Sequence, residues 1–396
     1  LNLAGTLNSL NLDGIALREI QVDLNENLQR SYALHRPEMN LSKKSVFSVF
    51  VLSGENSSLP LGEIAALIET YSKNSTCIAV QKRVIVSDVS DELAVNRIAE
   101  RSAFCRFGGL LIGMGSSLEE LFPYPAKEEK EDFKLSFLSE RKEERSFAVR
   151  TETLSRESCA RMGSIIKEKT GWRVSLEGPE YVFQVENGGE NFILGLSRSG
   201  EKKFSWKERR PRARRFFLPS AIYPKLSRAL VNLSRAREGD VFLDPFCGSG
   251  SLLIESQLMN IDSLGIDLIR WIARGALLNT KKYHNDHSLG ILRGDSTRAF
   301  LPLRKVDAVA TDVPYGRASS TRGKTTERII KEFLESLTNV MPSPSREDLR
   351  QKYCVIMHPS NAELASVENE PFRLVERHLI YVHRNLTRAI SVFKRI

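Results

Sequence analysis

The chain has 396 residues, 41% hydrophobic and 27% charged, a globular composition with room for two or three domains, which excludes a disordered tail or a fibre. No run approaches the ~18 unbroken apolar residues of a membrane helix, and the opening segment has neither a basic n-region nor a continuous apolar core, so the expected compartment is cytoplasmic. The net charge of +9 is uneven: residues 1–199 carry 24 basic against 28 acidic side chains and residues 200–396 carry 34 against 21, which makes a polyanion the natural partner of the second half.

Residues 1–45 are rich in Asn and Leu with weak periodicity, and they are left as an unassigned N-terminal extension. From Ser45 the pattern sharpens into an α+β module: VFSVFVLSG as a strand, LGEIAALIETYS with helical spacing, and KRVIVSD as a second strand. After a charged stretch from Pro125 to Arg145 come SFAVRTE (strand), ARMGSIIKEKTG (helix, with Gly171 as its stop), WRVSL, EYVFQVEN and NFILGLS. This module is placed at residues 46–198, and a basic linker follows at 199–222. Within the linker, residues 200–215 hold eight basic and two acidic side chains. From residue 223 to 396 strand and helix alternate: PKLSRALVNLSRA, DVFLD, GSLLIESQLMN, SLGID, LIRWIARGALLNTKKY, LGILRGD, KVDAVATD, ERIIKEFLESLTNVM and KYCVIMH. Repeated β-α-β of this kind predicts an α/β fold, a mostly parallel sheet covered on both faces, with its ligand in the crevice beyond the strand C-termini. The five cysteines are widely spaced and form no C-x-x-C, which argues against a disulfide framework or a zinc knuckle. His284 and His287 lack Cys or acidic partners for a metal, so none is expected.

The first strand of this region runs through Asp244-Pro245-Phe246-Cys247-Gly248-Ser249-Gly250 into a helix. Gly248 and Gly250 suit a tight turn that brings N–H groups close to a ligand. A third glycine at position 253 would complete a dinucleotide fingerprint, but Leu253 stands there, and no Gly-Lys-Ser/Thr follows to make a nucleotide-triphosphate loop. The next strands end in Asp267, suited to two ribose hydroxyls, and in Gly294-Asp295-Ser296. Each acid alone also suits the cap of the helix after it; three acidic strand ends beside a glycine loop suit an adenosine cofactor without a pyrophosphate. The fourth strand ends in Thr311-Asp312-Val313-Pro314-Tyr315-Gly316-Arg317. An amino group on a base ring is a poor nucleophile because its lone pair is delocalised. Asp312 and a backbone carbonyl could each accept one N–H and turn that lone pair towards an electrophile while Tyr315 stacks on the base.

DPFCGSG, Asp267, Asp295 and TDVPYGR in this order resemble a class I S-adenosylmethionine-dependent methyltransferase acting on exocyclic amino groups, a Rossmann-like fold with a seven-stranded sheet. ERRPRARRFFLPSAIYPKLSRALVNLSRA, with SFAVRTE, TGWRVSLEGPEYVFQV and VFSVFVLSGEN upstream, is similar to archaeal-type tRNA guanosine-10 N2-methyltransferases. Those proteins join a ferredoxin-like and THUMP RNA-binding region to the methyltransferase, and the likeness spans residues 46–396. The resemblance implies that Asp244, Phe246, Gly248 and Gly250 surround the methionine part of the cofactor, with Asp267 on the ribose and Asp295 and Ser296 near the adenine. Pro219 and Ser220 would close over the methionine carboxylate, and Asp312, Pro314 and Tyr315 would hold the target base. Arg209, Arg210, Arg212, Arg214 and Arg215 are expected to contact RNA phosphates. Val313 stands where the family pattern has a first proline. The partner implied is tRNA, with the protein a monomer and the need for a small activator protein left open. The rival readings are the same chemistry at another tRNA position or on ribosomal RNA, and a catalytically silent RNA-binding protein.

Overall fold

The computed structural model describes residues 46–72, 75, 77–81, 83–122, 145–189, 191–199, 205–283, 285–298, 305–315, 321, 323–344, 350–364 and 371–396. Expectations attached to residues 1–45, to most of the charged stretch before Arg145, to residues 200–204, to His284 and to Gly316 and Arg317 lie outside the described residues.

The apolar run from Val46 opens a β-α-β-β-α-β unit: β1 (Val46–Leu52), α1 (Leu59–Tyr71), β2 (Cys77–Gln81), β3 (Val84–Val89), α2 (Glu92–Arg101) and β4 (Cys105–Gly115). Asp91 starts α2 by accepting the Ala94 N–H at 2.8 Å. A second unit follows: β5 (Ser146–Arg150), α3 (Arg156–Thr170), β6 (Arg173–Val174), β7 (Tyr181–Asn187) and β8 (Phe192–Arg198). Ser155 caps the start of α3, and Gly171, in the left-handed region at φ 72°, ends it as expected. Because β8 pairs antiparallel with β4, the two units share one eight-stranded sheet, ordered β2-β3-β1-β4-β8-β7-β5-β6. The sequence reading does not contain α2, β2 or β4. The sequence of β4, CRFGGLLIGMG, looks like a loop, yet a side chain at Gly113 would put its Cβ 2.0 Å from the Leu121 carbonyl oxygen. Close backbone approach explains that glycine.

Beyond the linker come α4 (Pro224–Leu233), β9 (Val241–Asp244), α5 (Ser251–Gln257), β10 (Asp262–Asp267), α6 (Arg270–Thr280), β11 (Ser288–Arg293), β12 (Ala308–Asp312), α7 (Thr326–Leu337), β13 (Tyr353–Pro359), β14 (Phe372–His383) and β15 (Leu386–Arg395). They build the expected seven-stranded sheet, ordered β11-β10-β9-β12-β13-β15-β14, in which only β15 runs antiparallel to the rest. Strand order reverses between β9 and β12, so the loops after Asp244 and Asp312 open on one crevice.

Helices α1 and α4 weld the two sheets together, and Leu59, Ala66 and Phe104 share one apolar core with Leu230, Phe242 and Ile390. Into this core the chain buries charge. Glu63 accepts hydrogen bonds from Ser102 Oγ (2.6 Å), Asn232 Nδ2 (2.7 Å) and the Ala103 and Phe104 N–H groups (2.8 and 2.9 Å). Arg101 donates to Asn232 Oδ1 and to the Ala236 carbonyl. Arg235 binds Glu69 at 3.0 Å, binds Glu376, and lies 4.2 Å over the Tyr353 ring. Burial opposes ionisation of Glu376, but Arg235 and His378 outweigh it and hold the carboxyl at about 2.

Replacing Arg235→Met leaves Glu376 buried without its cation. Urea denaturation at neutral pH should show a loss of about 3–5 kcal/mol. Because the pKa of Glu376 is depressed when folded, the stabilisation it supplies is present above about 4.5 and fades as pH falls towards 2, so the gap between wild type and variant should close over that window. An equal gap at all pH values would contradict this assignment.

Candidate active site at the sheet crevice

The loop after β9 is held from beneath by the neighbouring strand: the Cys247 N–H donates to the Ile266 carbonyl at 2.9 Å, and Gly250 N–H to the Cys247 carbonyl at 2.8 Å. Gly248 and Gly250 sit in the left-handed region at φ 50° and 81°, and a Cβ on Gly248 would meet only Leu218 Cδ1, at 4.0 Å. At Gly248 the loop therefore presents bare backbone to open space, while Gly250 packs on α6, where a Cβ would fall 3.3 Å from Thr280 Cγ2. Close helix-to-strand contact is made by a glycine the sequence reading did not single out. At Gly265 on β10 a Cβ would fall 2.5 Å from Leu253 Cδ1 and 3.0 Å from Cys247 Sγ. Cys247 is buried and its thiol pKa is pushed up by burial, consistent with a packing role.

Of the expected acids, Asp267 contacts this loop directly, Asp244 begins it, and Asp295 lies on the neighbouring loop tied to it through Ser296. Asp267 accepts the Gly248 N–H at 3.2 Å and the Ile269 N–H at 2.8 Å, and burial raises its pKa nonetheless. Asp244 is buried, accepts Thr311 Oγ1 at 2.7 Å, and is pushed up to about 7 by burial, with the charge of Asp312 adding to the effect. Asp295 accepts from Thr297 through its backbone N–H (3.2 Å) and hydroxyl (2.7 Å). Ser296 is turned elsewhere: its buried hydroxyl donates to the Pro245 carbonyl at 2.7 Å and ties this loop to the glycine loop. Lys324 reaches Thr297 Oγ1 at 3.2 Å from the far side of the crevice. Phe246 packs edge-on against Phe333 of α7.

The basic segment divides into two faces, which corrects the expectation that all five arginines meet phosphate. Arg209 is buried against Glu255, its Nε 2.7 Å from the carboxylate that also binds Arg228. Arg214 is buried and donates to Ser251 Oγ at 2.6 Å and to the Arg209 carbonyl. Arg210, Arg212 and Arg215 are exposed. The inward pair straps the linker onto α5. Asn279 of α6 completes the strap: it accepts the Phe216 N–H at 2.9 Å and donates to the Phe216 carbonyl (2.8 Å) and the Ser249 carbonyl (2.9 Å). One buried amide thus fixes the linker to the glycine loop, three residues before the exposed Pro219 and Ser220.

Across the crevice, Asp312 ends β12 with its side chain 17% exposed, and its Oδ1 is buried without a hydrogen-bond partner among the described residues. The Tyr315 hydroxyl and Arg388 Nε are likewise buried and unpartnered. Burial pushes Asp312 up to about 7 although Arg388 pulls it down, and burial with the Asp312 charge pushes Tyr315 up to about 12. Arg388 is absent from the sequence reading. It lies on β15, with Nη1 3.8 Å from Asp312 Oδ2 and Cζ 5.6 Å from the Tyr315 ring centre. Val313 is accounted for by packing: its side chain is buried beside α7, and its N–H donates to the Met357 carbonyl at 3.1 Å, a ladder bond a proline could not make. Polar atoms are rarely left unpaired in a native interior, and three gathered at one crevice make it the candidate ligand site. His287 is engaged with Asp262 at 2.9 Å, and among the described residues no group of His, Cys, Asp and Glu could hold a metal ion.

Residues 211–390 match the family model described as RMKL-like, methyltransferase domain. Over 371 residues the chain is 30% identical to a tRNA (guanine(10)-N2)-dimethyltransferase of Methanocaldococcus jannaschii, covering 88% of this chain and 99% of that protein. A protein of the same name from Methanothermobacter thermautotrophicus is 36% identical over 63% of this chain and 74% of its own length. Another, from Pyrococcus abyssi, is 30% identical over 84% of this chain and 94% of its own.

Asn279→Leu should release the strap, because three hydrogen bonds are lost and buried backbone groups are left unpaired at about 1–3 kcal/mol each. Limited trypsin digestion should then cut at Arg212 and Arg215 faster than in the wild type. Unchanged cleavage would mean that the linker is held by other contacts.

Proposed function

Because the chain belongs to the tRNA (guanine(10)-N2)-dimethyltransferase family, we propose that it transfers methyl groups from S-adenosylmethionine to the exocyclic N2 of guanosine 10 in tRNA, giving N2-methylguanosine and then N2,N2-dimethylguanosine. The observation that carries the reading is the unpartnered Asp312 Oδ1 beside the Tyr315 ring. The crevice also fits the cofactor: bare backbone at Gly248, the buried and unpartnered Ser249 hydroxyl, and strand-end carboxylates within one sheet. Asp244, Phe246, Gly248 and Gly250 would hold its methionine part, Asp267 the ribose hydroxyls, and the loop of Asp295 and Ser296 the adenine side. Pro219 and Ser220, anchored through Phe216 and Asn279, would close over it. Bound there, S-adenosylmethionine supplies an electrophilic methyl group.

The chain's own work is to make the guanine amine a nucleophile. Asp312, ionised, accepts one N–H of N2 and draws the nitrogen out of conjugation with the ring. Pro314, with its φ fixed by the ring, shapes the turn that offers a backbone carbonyl to the second N–H. Tyr315 stacks on the base. A carboxyl of pKa about 7 is also suited to take up the proton that the methylated nitrogen sheds. After one methylation N2 still carries a single N–H, and a single carboxylate acceptor suffices to aim it again. The ferredoxin-like and THUMP region reads the shape of the tRNA, while exposed Arg210, Arg212 and Arg215 draw its backbone to the crevice. We place the protein in the cytoplasm as a monomer.

Incubation of an unmodified tRNA transcript with the protein and methyl-labelled cofactor should transfer label to the RNA. Asp312→Asn should cut that transfer by orders of magnitude while cofactor affinity stays within a few-fold, because the lost contact aims the amine and does not hold the donor. Tyr315→Ala should act mainly on KM, through lost stacking of about 1–3 kcal/mol. Full activity of Asp312→Asn would refute this reading of the site.

RNA affinity should fall with salt, and neutralising Arg210, Arg212 and Arg215 should flatten the slope by up to about 0.9 per lost duplex phosphate contact. A steep slope retained in the triple variant would return the segment to a purely structural linker.

A further inference from the structure

We infer that Arg388 is a positioning residue of the target-base site: its guanidinium favours the carboxylate form of Asp312 while leaving an oxygen free for the base amine, and braces the Tyr315 ring that stacks on that base. The inference rests on the reading of Asp312 and Tyr315 given above and adds a residue from a different part of the fold.

The geometry is specific. Asp312 pairs with Met357 across the β12–β13 ladder, Met357 pairs with Ile390 across β13–β15, and Arg388 lies two residues from Ile390, on the same sheet face. β15 is paired on both sides at this point, with Pro359 and with Ile380, so the backbone that carries Arg388 is held. The Arg388 side chain is 15% exposed and that of Asp312 17% exposed, so their attraction is only partly screened. At 3.8 Å the pair is within ion-pair range but longer than a hydrogen bond. Arg388 therefore lends charge to the carboxylate without occupying Oδ1, which a tight two-pronged arginine clamp would do. The same guanidinium lies over the Tyr315 face, a cation–π contact that fixes the ring's place. Its Nε–H has no partner among the described residues and leaves a donor for a ring acceptor of the base. Among the described residues the charged and titratable groups facing Asp312 are Asp244 on β9, Arg388 on β15 and the Tyr315 phenol. The charge of Asp312 raises Asp244, and Arg388 favours the ionised form of Asp312.

The test compares wild type, Arg388→Met and Arg388→Lys in two measurements. In the free protein, carboxyl-labelled aspartate NMR follows the titration of Asp312, assigned with Asp312→Asn. Removing the cation should move its midpoint up by about 1–3 units, and Lys should restore part of the shift. In single-turnover methylation of a tRNA transcript at saturating cofactor, the acid limb of the rate should move up with it in Arg388→Met, while calorimetric cofactor affinity stays the same. An Asp312 midpoint that does not move overturns the inference, whatever the enzyme's substrate. A midpoint that moves while the rate limb stays fixed overturns the positioning role but leaves the methyl-transfer reading intact. Absence of guanosine methylation by the wild type would instead defeat that reading, and the base-positioning role with it.

Discussion

A carboxylate buried without a hydrogen bond is costly to keep, and the catalytic half of this protein is organised around one such group. Desolvation drives Asp312 up to about 7 even against the pull of Arg388. That cost is tolerable because the group sits at the end of a central parallel strand whose neighbours supply one cation, Arg388, and one aromatic wall, Tyr315, without filling its lone pairs. In the function proposed here, that unmatched acceptor receives an amine N–H of the target base. Val313 contributes from behind: its N–H extends the ladder to β13, so the turn bearing Pro314 and Tyr315 starts from a fixed backbone.

The opposite wall of the crevice depends on a different economy of bonds. Asp267 gathers two backbone N–H groups at the glycine loop, Ser296 anchors the third loop to Pro245, and Asn279 joins the linker to Ser249. These contacts prepare a binding surface before any ligand arrives, which lowers the ordering cost of binding. Further out, the buried network of Glu63, Arg101, Asn232, Arg235 and Glu376 locks the N-terminal sheet to the catalytic one. A region that reads tRNA shape can select one guanosine only if its distance from the crevice is constant, and ion pairs that are expensive to break supply that constancy.

What the sequence reveals follows from where each signal lies. Strand-end acids and the glycine loop are readable because a β-α-β repeat forces strand termini onto one edge, so local motifs acquire a spatial meaning. Arg388 is invisible to that logic. It comes from an edge hairpin, β14–β15, whose partly exposed faces mix charged and apolar residues, and it meets Asp312 only through two ladder pairings. The basic run misleads for a related reason: composition gives its charge, but which arginines face inward is decided by the turn at Pro211–Ala213 and by Glu255, 46 residues beyond Arg209. Glycine-rich β4 hides because its glycines serve close packing, while the same residues in sequence suggest a loop.

If the orphan carboxylate aims an exocyclic amine, nucleotide-resolved mass spectrometry of a treated tRNA transcript will find the methyl groups on that amine alone. Methyl groups should lie on N2 of a single guanosine, at position 10, rising from one to two with time and absent from a transcript bearing adenosine there. Methylation on a ring carbon, a ribose hydroxyl or a scatter of guanosines would contradict it.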